Sequence, residues 1–159
     1  MNTEQKTTFF RFDDLRIYHK VLDYINCLYE IMKDFKTHDE LELKSKLIIK
    51  AESIAISIAE GSCRSKSQFV YFLKLGKSSL RECVVLTSIA KRMGFISEED
   101  DEKSRNLLIE VSKMNRALIT SLQKEPKKQN QGDDDYNEEE DDENKNDLDT
   151  TLNSNIMNY

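Results

Sequence analysis

The chain has few residues that end or bend a helix: one proline and four glycines among 159 residues. Proline lacks a backbone donor and glycine weakens helices, so their scarcity leaves long segments free to be helical. Apolar residues recur at spacings of three and four, as in helices that bury one face. The sequence therefore predicts an all-α protein.

Long apolar runs and paired cysteines are also missing. No segment approaches the ~20 apolar residues that a membrane-spanning helix needs, and the opening MNTEQKTTFFRFDDL lacks the apolar core of a signal peptide. Cys27, Cys63 and Cys83 are odd in number and form no CxxC motif. They are predicted to be reduced thiols that pack within helices, and the protein is expected in the cytoplasm.

Motifs for catalysis and metal binding are absent from the sequence. His19, which is expected to be partly buried, and His38 are the only histidines, and no HExxH or ExxH spacing occurs. There is no GxxxxGK[ST] or GxGxxG loop for a nucleotide. Glu60 and Glu82 are candidates for a catalytic carboxylate pair. The better-supported interpretation is that Arg64 or Lys50 holds Glu60, and that Glu82 accepts from Ser79 or from a cation on a neighbouring helix. The prediction is a protein without catalytic residues, metal or cofactor.

Capping signals divide the chain into four predicted helices. Thr37 with Glu40, and Ser65 with Gln68, fit the capping-box pattern. Ser97 precedes a run of acids that suits a first helical turn. Gly61, Gly94 and Pro126 stand where helices two, three and four are expected to end. The expected helices are about 13–35, 38–61, 65–93 and 97–124.

Each predicted connection spans only a few residues, so successive helices are expected to be antiparallel neighbours. The predicted fold is an up-down-up-down four-helix bundle over residues 13–124. Residues 1–12 are expected to form an N-terminal arm and residues 125–159 a disordered acidic tail.

The apolar residues exceed what one buried stripe requires. On helix one the predicted core stripe is Leu15, Tyr18, Leu22, Ile25, Tyr29 and Met32. The apolar residues of this helix outside the stripe are Ile17, Val21, Tyr24, Leu28 and Ile31. Ile49 and Ile56 are left over on helix two. Because a bundle helix needs a stripe of only about 100°, the surplus predicts a second burial partner, most simply another copy of the chain. The alternative is a wide core with scattered exposed apolar residues.

Charge is distributed unevenly. Residues 1–128 carry 23 Lys and Arg against 19 Asp and Glu, a net charge of +4, whereas residues 129–159 carry one Lys against 11 acids, a net charge of −10. The tail has too few apolar groups to offset the entropy of ordering it. It is interpreted either as a solvated segment that keeps the protein soluble or as a nucleic-acid mimic that competes for the basic body.

The basic residues concentrate between positions 44 and 92, where ten cations face three acids for a net charge of +7. The candidates for nucleic-acid binding are Lys44, Lys46, Lys50, Arg64, Lys66, Lys74, Lys77, Arg81, Lys91 and Arg92. Such a set favours a surface on helices two and three that binds phosphate without reading bases. An ordinary solvated surface is the alternative.

One segment carries a family resemblance. The segment AESIAISIAEG, residues 51–61, includes Ser53, Glu60 and Gly61, and is followed by Ser79 and Glu82 in the pattern Lys-x-Ser-Leu-x-Glu. This pattern resembles that of the bacterial 23S rRNA intervening-sequence proteins, and the resemblance extends over about residues 10–124. The five residues named here are expected to be structural.

The resemblance implies a four-helix bundle that assembles into a ring, typically a homopentamer. Relatives of this kind include accessory proteins of diversity-generating retroelements, which bind nucleic acid and a reverse transcriptase. The leading prediction is therefore a non-enzymatic, ring-forming protein that binds structured RNA, in preference to DNA, as an accessory factor of a ribonucleoprotein or of a reverse transcriptase. The alternative is an adaptor or scaffold whose basic surface docks an acidic partner protein.

Overall fold

The computed structural model describes residues 9–124, which are helical and contain no β-strand. A 3-10 helix, Arg11–Asp14, precedes four α-helices: α1 Arg16–Ile31, α2 His38–Ser62, α3 Lys66–Arg92 and α4 Glu98–Gln123. The predicted tail and most of the predicted arm lie outside the described residues. No helix within residues 9–124 is both long and apolar enough to cross a membrane.

The four helices surround one core, as in a four-helix bundle. Within residues 9–124, α1 and α3 each pack against α2 and α4 and not against each other. Each helix contributes an almost fully buried side chain, for example Val21, Leu47, Leu73 and Leu108, all at most 2% exposed. Burying each side chain of this size contributes roughly 1.5–3 kcal/mol, so packing across the core stabilises the helices collectively.

The predicted starts of α2, α3 and α4 are confirmed. The Thr37 hydroxyl accepts from the Glu40 amide at 3.3 Å, and the Glu40 carboxylate accepts from the Thr37 amide at 2.8 Å. Backbone amides of Lys36 and Thr37 that donate to this carboxylate lower the pKa of Glu40. Ser65 and Ser97 cap α3 and α4 by accepting from backbone amides of the first turn.

The start and end of helix one differ from the prediction. Asp13 and Asp14 belong to the separate 3-10 helix and not to the first turn of α1. An aromatic contact holds this turn on α1, since the rings of Phe12 and Tyr18 lie 5.0 Å apart. At the other end, α1 stops at Ile31 instead of Phe35, and the Met32 carbonyl accepts from Lys44 on α2 at 3.0 Å.

The buried side of α1 is also not the predicted one. The core side chains are Ile17, Val21, Tyr24, Leu28 and Met32, all at most 4% exposed. Of these only Met32 belonged to the predicted stripe. Tyr29, which was predicted to be in the core, is 47% exposed. Two apolar stripes share this helix, and contact with α2 and α4 decides which one is buried.

Gly61 does not end α2, which continues through Ser62. Among residues 9–124 only Gly94, which follows α3, has a positive φ, at 72°. A methyl group on Gly61 would lie 2.5 Å from Cδ2 of Phe69 and 2.9 Å from Cβ of Phe72. Gly61 therefore permits the close approach of α2 to the first turn of α3.

Candidate nucleic-acid interface

The three candidate cations of α2 all have partners. Lys44 donates to the Met32 carbonyl and lies 5.5 Å from the centre of the Tyr29 ring. Lys46 pairs with Glu42 at 2.6 Å on the same helix. Lys50 pairs with Glu82 of α3 at 2.5 Å. These contacts offset the charge that α2 would otherwise present to phosphate.

Two further candidates pair with acids near helix ends. Arg64 contacts Glu60 at 3.2 Å. Lys91 contacts Glu98 at 2.5 Å and Asp101 at 3.7 Å. The hydrogen bond to Glu98 raises the pKa of Lys91, so this lysine stays charged and held at the junction of α3 and α4.

The other candidates, Lys66, Lys74, Lys77, Arg81 and Arg92, lie on α3. The segment from Lys66 to Arg81 contains no acidic residue. Lys74 and Arg81 are exposed and Lys77 is half-buried. Lys66, Lys74 and Arg92 form no ion pair with another residue of the 9–124 range. The first half of α3 thus lies in the longest segment of the predicted surface without an acidic residue.

One side of α3 faces α4. Lys74, Arg81 and Ser88 recur every seven residues, which is two helical turns, and therefore lie along one side of the helix. The Ser88 hydroxyl accepts from Nη2 of Arg105 on α4 at 2.7 Å. We call this side the α4-side flank and define it by Lys74, Arg81 and Ser88.

Another side of α3 faces α2. Leu75, Glu82 and Ile89 also recur every seven residues, and Glu82 pairs with Lys50 of α2. We call this side the α2-side flank and define it by Leu75, Glu82 and Ile89. Lys74 and Arg81 therefore lie about 100° around the helix from the side that contacts Lys50 of α2. The structure does not bring the two sets together as one continuous basic surface.

Exposed apolar residues also occur on α2 and α3. Ile56 of α2 is 61% exposed and Val85 of α3 is 58% exposed. Most of the large exposed apolar side chains within residues 9–124 lie on these two helices or directly after α3: Leu41, Ile49, Ile56, Tyr71, Leu75, Val85, Ile89 and Met93. The predicted surplus residues of α2, Ile49 and Ile56, are confirmed as exposed. Most of the predicted surplus residues of α1 are instead buried in the core: Ile17, Val21, Tyr24 and Leu28.

Sequence reasoning missed three exposed cations on α4, namely Lys113, Arg116 and Lys124. The helix side that contains Arg105, Ser112 and Arg116 faces α3, because Arg105 bonds Ser88. Residues 111–124 contain no acidic residue. This acid-free segment was the sequence signal that could have identified the α4 cations. Its relevance follows only from the contact between α3 and α4.

The residues of the family pattern have structural contacts. Glu60 and Glu82 each pair with a different cation, Arg64 and Lys50, and so are not brought together as a carboxylate pair. The Ser53 hydroxyl donates to the carbonyl four residues earlier at 2.7 Å. Ser79 is half-buried on α3.

The cysteines and histidines do not form a reactive cluster. Burial raises the pKa of Cys83 to about 12 and also raises that of Cys27, as expected for packing thiols. Cys63 differs from its prediction because it is exposed at the end of α2. His19 is exposed too, and its ring lies 2.7 Å from the Asp13 carbonyl. No metal-binding group of three or more His, Cys, Asp or Glu occurs in the described part of the chain.

These features define an α-helical bundle in which an acid-free basic flank and a flank with exposed apolar residues lie side by side on α3. Residues 13–117 match the family described as 23S rRNA-intervening sequence protein. The match covers most of the chain, which belongs to this family. No curated protein matches the sequence.

Proposed function

We propose that the protein is a non-enzymatic, ring-forming bundle that binds structured RNA through the exposed cations of α3. One observation carries this proposal: the segment of α3 from Lys66 to Arg81 contains four cations, Lys66, Lys74, Lys77 and Arg81, and no acidic residue. The family description, which refers to 23S rRNA, supports RNA as the ligand. Contacts to phosphate provide affinity with little dependence on sequence.

The proposed topology is antiparallel throughout. Two contacts between α3 and α4 support it: Arg105 with Ser88 at 2.7 Å, and Asn115 with the Leu73 carbonyl at 3.1 Å. Residue numbers rise along α4 as they fall along α3. The short connections between the other helices support the same arrangement for them.

The proposed ring is assembled through the exposed apolar residues of α2 and α3. Contiguous exposed apolar residues are typical of protein interfaces. A cyclic assembly would repeat the basic flank around the ring and strengthen its field. We propose a homopentamer in the cytoplasm.

The test is a binding titration of the full chain with a fluorescently labelled RNA hairpin over a series of salt concentrations. We expect measurable binding at low salt, and a logarithm of the affinity that falls linearly with the logarithm of the salt concentration. A hairpin of scrambled sequence with the same fold should bind equally well. Absence of binding at low salt, even after residues 129–159 are deleted, would contradict the proposal.

A second candidate function is an adaptor that docks an acidic partner protein. The exposed apolar residues favour it, because protein interfaces bury aromatic and aliphatic side chains that phosphate contacts do not need. A competition experiment separates the two functions. An acidic polypeptide that binds more tightly than RNA at equal salt would favour the adaptor.

A further inference from the structure

We infer that the RNA-binding surface extends from α3 onto α4, where Lys113, Arg116 and Lys124 form a second row of phosphate-binding cations. This inference deepens the proposed function and rests on it. It assigns the ligand site to the α4-side flank of α3 together with the second half of α4, and not to α2.

The first support is position. Asn115 donates from its side-chain amide to the Leu73 carbonyl at 3.1 Å, so the two helices touch at this level. Lys74 directly follows Leu73, and Arg116 directly follows Asn115. Both of these cations are exposed, and both lie on the sides of their helices that face each other, as the bond between Arg105 and Ser88 indicates. Lys74 and Arg116 therefore border the same groove between α3 and α4.

The second support is charge. Residues 66–81 and 111–124 together contain seven Lys and Arg and no Asp or Glu. The contact between Leu73 and Asn115 joins these two segments. The first half of α4 is the opposite, because its first turn alone contains Glu98, Glu99, Asp100 and Asp101. One end of the α3–α4 pair is therefore basic and the other end acidic.

The third support is the chemistry of the exposed side chains. Arginine can form two parallel hydrogen bonds to one phosphate, so Arg116 suits such contacts. Ser121, exposed on the same helix, adds a hydroxyl donor, whereas the Thr120 hydroxyl already donates to the Arg116 carbonyl at 3.0 Å. Packed helices are about 8–10 Å apart, so two rows of cations widen the contact beyond one line of phosphates. Structured RNA is recognised largely through its shape and backbone, which suits a surface of this kind.

The experiment compares two charge-matched variants of the full chain. Lys113→Gln/Arg116→Gln removes two cations from the inferred surface. The control, Lys33→Gln/Lys103→Gln, removes two exposed cations elsewhere. Lys103 suits this purpose because its charge acts on the Cys27 thiol of α1, which places it on the other side of α4. Circular dichroism melts establish that both variants are folded.

We expect the hairpin to bind about tenfold more weakly to Lys113→Gln/Arg116→Gln, with a salt slope reduced by about 2 because two phosphate contacts are lost. The control should lose less than about threefold. Lys113→Arg should bind like the unsubstituted chain, because the positive charge at this position remains.

Three outcomes distinguish this inference from the proposed function. Equal losses in the variant and the control would overturn the α4 assignment and leave RNA binding intact. Loss confined to Lys113→Gln/Arg116→Gln would support the assignment. An unsubstituted chain that binds no RNA at low salt, with or without residues 129–159, would overturn the proposed function and the α4 assignment with it.

Discussion

The two flanks of α3 differ in chemistry although they lie on one helix. On the α2-side flank, Glu82 is neutralised by Lys50, and Leu75 and Ile89 are 42% and 40% exposed. On the α4-side flank, Lys74 and Arg81 are exposed in an acid-free segment. The comparison shows that a net charge summed along the sequence does not locate a binding surface. Ion pairs between helices, such as that of Lys50 with Glu82, also decide where positive charge is offset.

The comparison also separates two tasks. Apolar side chains beside a neutralised ion pair suit contact with another protein, because little charge must be desolvated. A cationic segment that contains no acidic residue suits phosphate. We therefore propose that self-association uses the exposed apolar residues of α2 and α3 and that RNA binds the α4-side flank.

The largest expected effect is on self-association. Ile56→Asp/Val85→Asp places two carboxylates among the exposed apolar residues, where assembly would bury them without partners. We expect this variant to be monomeric at concentrations where the unsubstituted chain is assembled, as measured by light scattering on size-exclusion fractions. Ile109→Asp, which alters an exposed apolar residue of α4, is the control and should assemble normally. An assembled Ile56→Asp/Val85→Asp variant would show that the exposed apolar residues of α2 and α3 are not the interface.

The next effect concerns the acidic tail, whose structure lies outside the described residues. Deletion of residues 129–159 changes the net charge of the chain from −6 to +4. If the tail competes for the α4-side flank, truncation should tighten RNA binding about tenfold at low salt and much less at high salt. The gain should shrink when Lys74→Gln/Arg81→Gln is combined with the deletion. Equal affinity before and after truncation would identify the tail as a solubilising segment.

A smaller effect is expected on stability, through the packing of α2 against α3. Gly61→Ala should lower the free energy of unfolding by about 1–3 kcal/mol, because its methyl group overlaps Phe69 and Phe72. The matched control is Gly76→Ala, whose methyl group would lie at an ordinary 3.5 Å from Cβ of Ser57. That variant should be unchanged or more stable by up to about 1 kcal/mol, through its higher helix propensity. Urea denaturation measures both, and equal stability would refute the close-packing role of Gly61.

The smallest effect is expected from the ion pair itself. Glu82 and Lys50 are 44% and 40% exposed, so the pair is partly solvated. Glu82→Gln should lower the free energy of unfolding by less than about 1 kcal/mol. RNA affinity should stay within about twofold, because little uncompensated charge is added to the α4-side flank. A large gain in RNA affinity would indicate that α2 cations contact the ligand.

Local signals in the sequence were sufficient to predict much of the fold. The starts of α2, α3 and α4 follow from Thr37, Ser65 and Ser97, because a capping side chain acts within a few residues of its own position. The buried side of α1 does not follow from such signals. Its two apolar stripes are equally plausible in sequence, and the packed neighbours decide between them.

The candidate site was less predictable for the same reason. Two ion pairs join different helices: Lys50 with Glu82, and Lys91 with Asp101. The spacing of these residues in the sequence does not indicate which of them pair. Gly61 resembled a helix stop because the sequence does not reveal how closely Phe69 approaches. Arg116 was missed because its proximity to Lys74 depends on the contact between α3 and α4.

The most direct test of the division between the two flanks compares RNA binding by Lys74→Gln/Arg81→Gln and by Lys46→Gln/Lys50→Gln. Both variants lose two positive charges from candidate positions. Fluorescence anisotropy of a labelled hairpin over a salt series should show about a tenfold loss and a shallower salt slope for the α3 variant. The α2 variant should lose less than about threefold. Equal losses, or a greater loss for the α2 variant, would contradict the account.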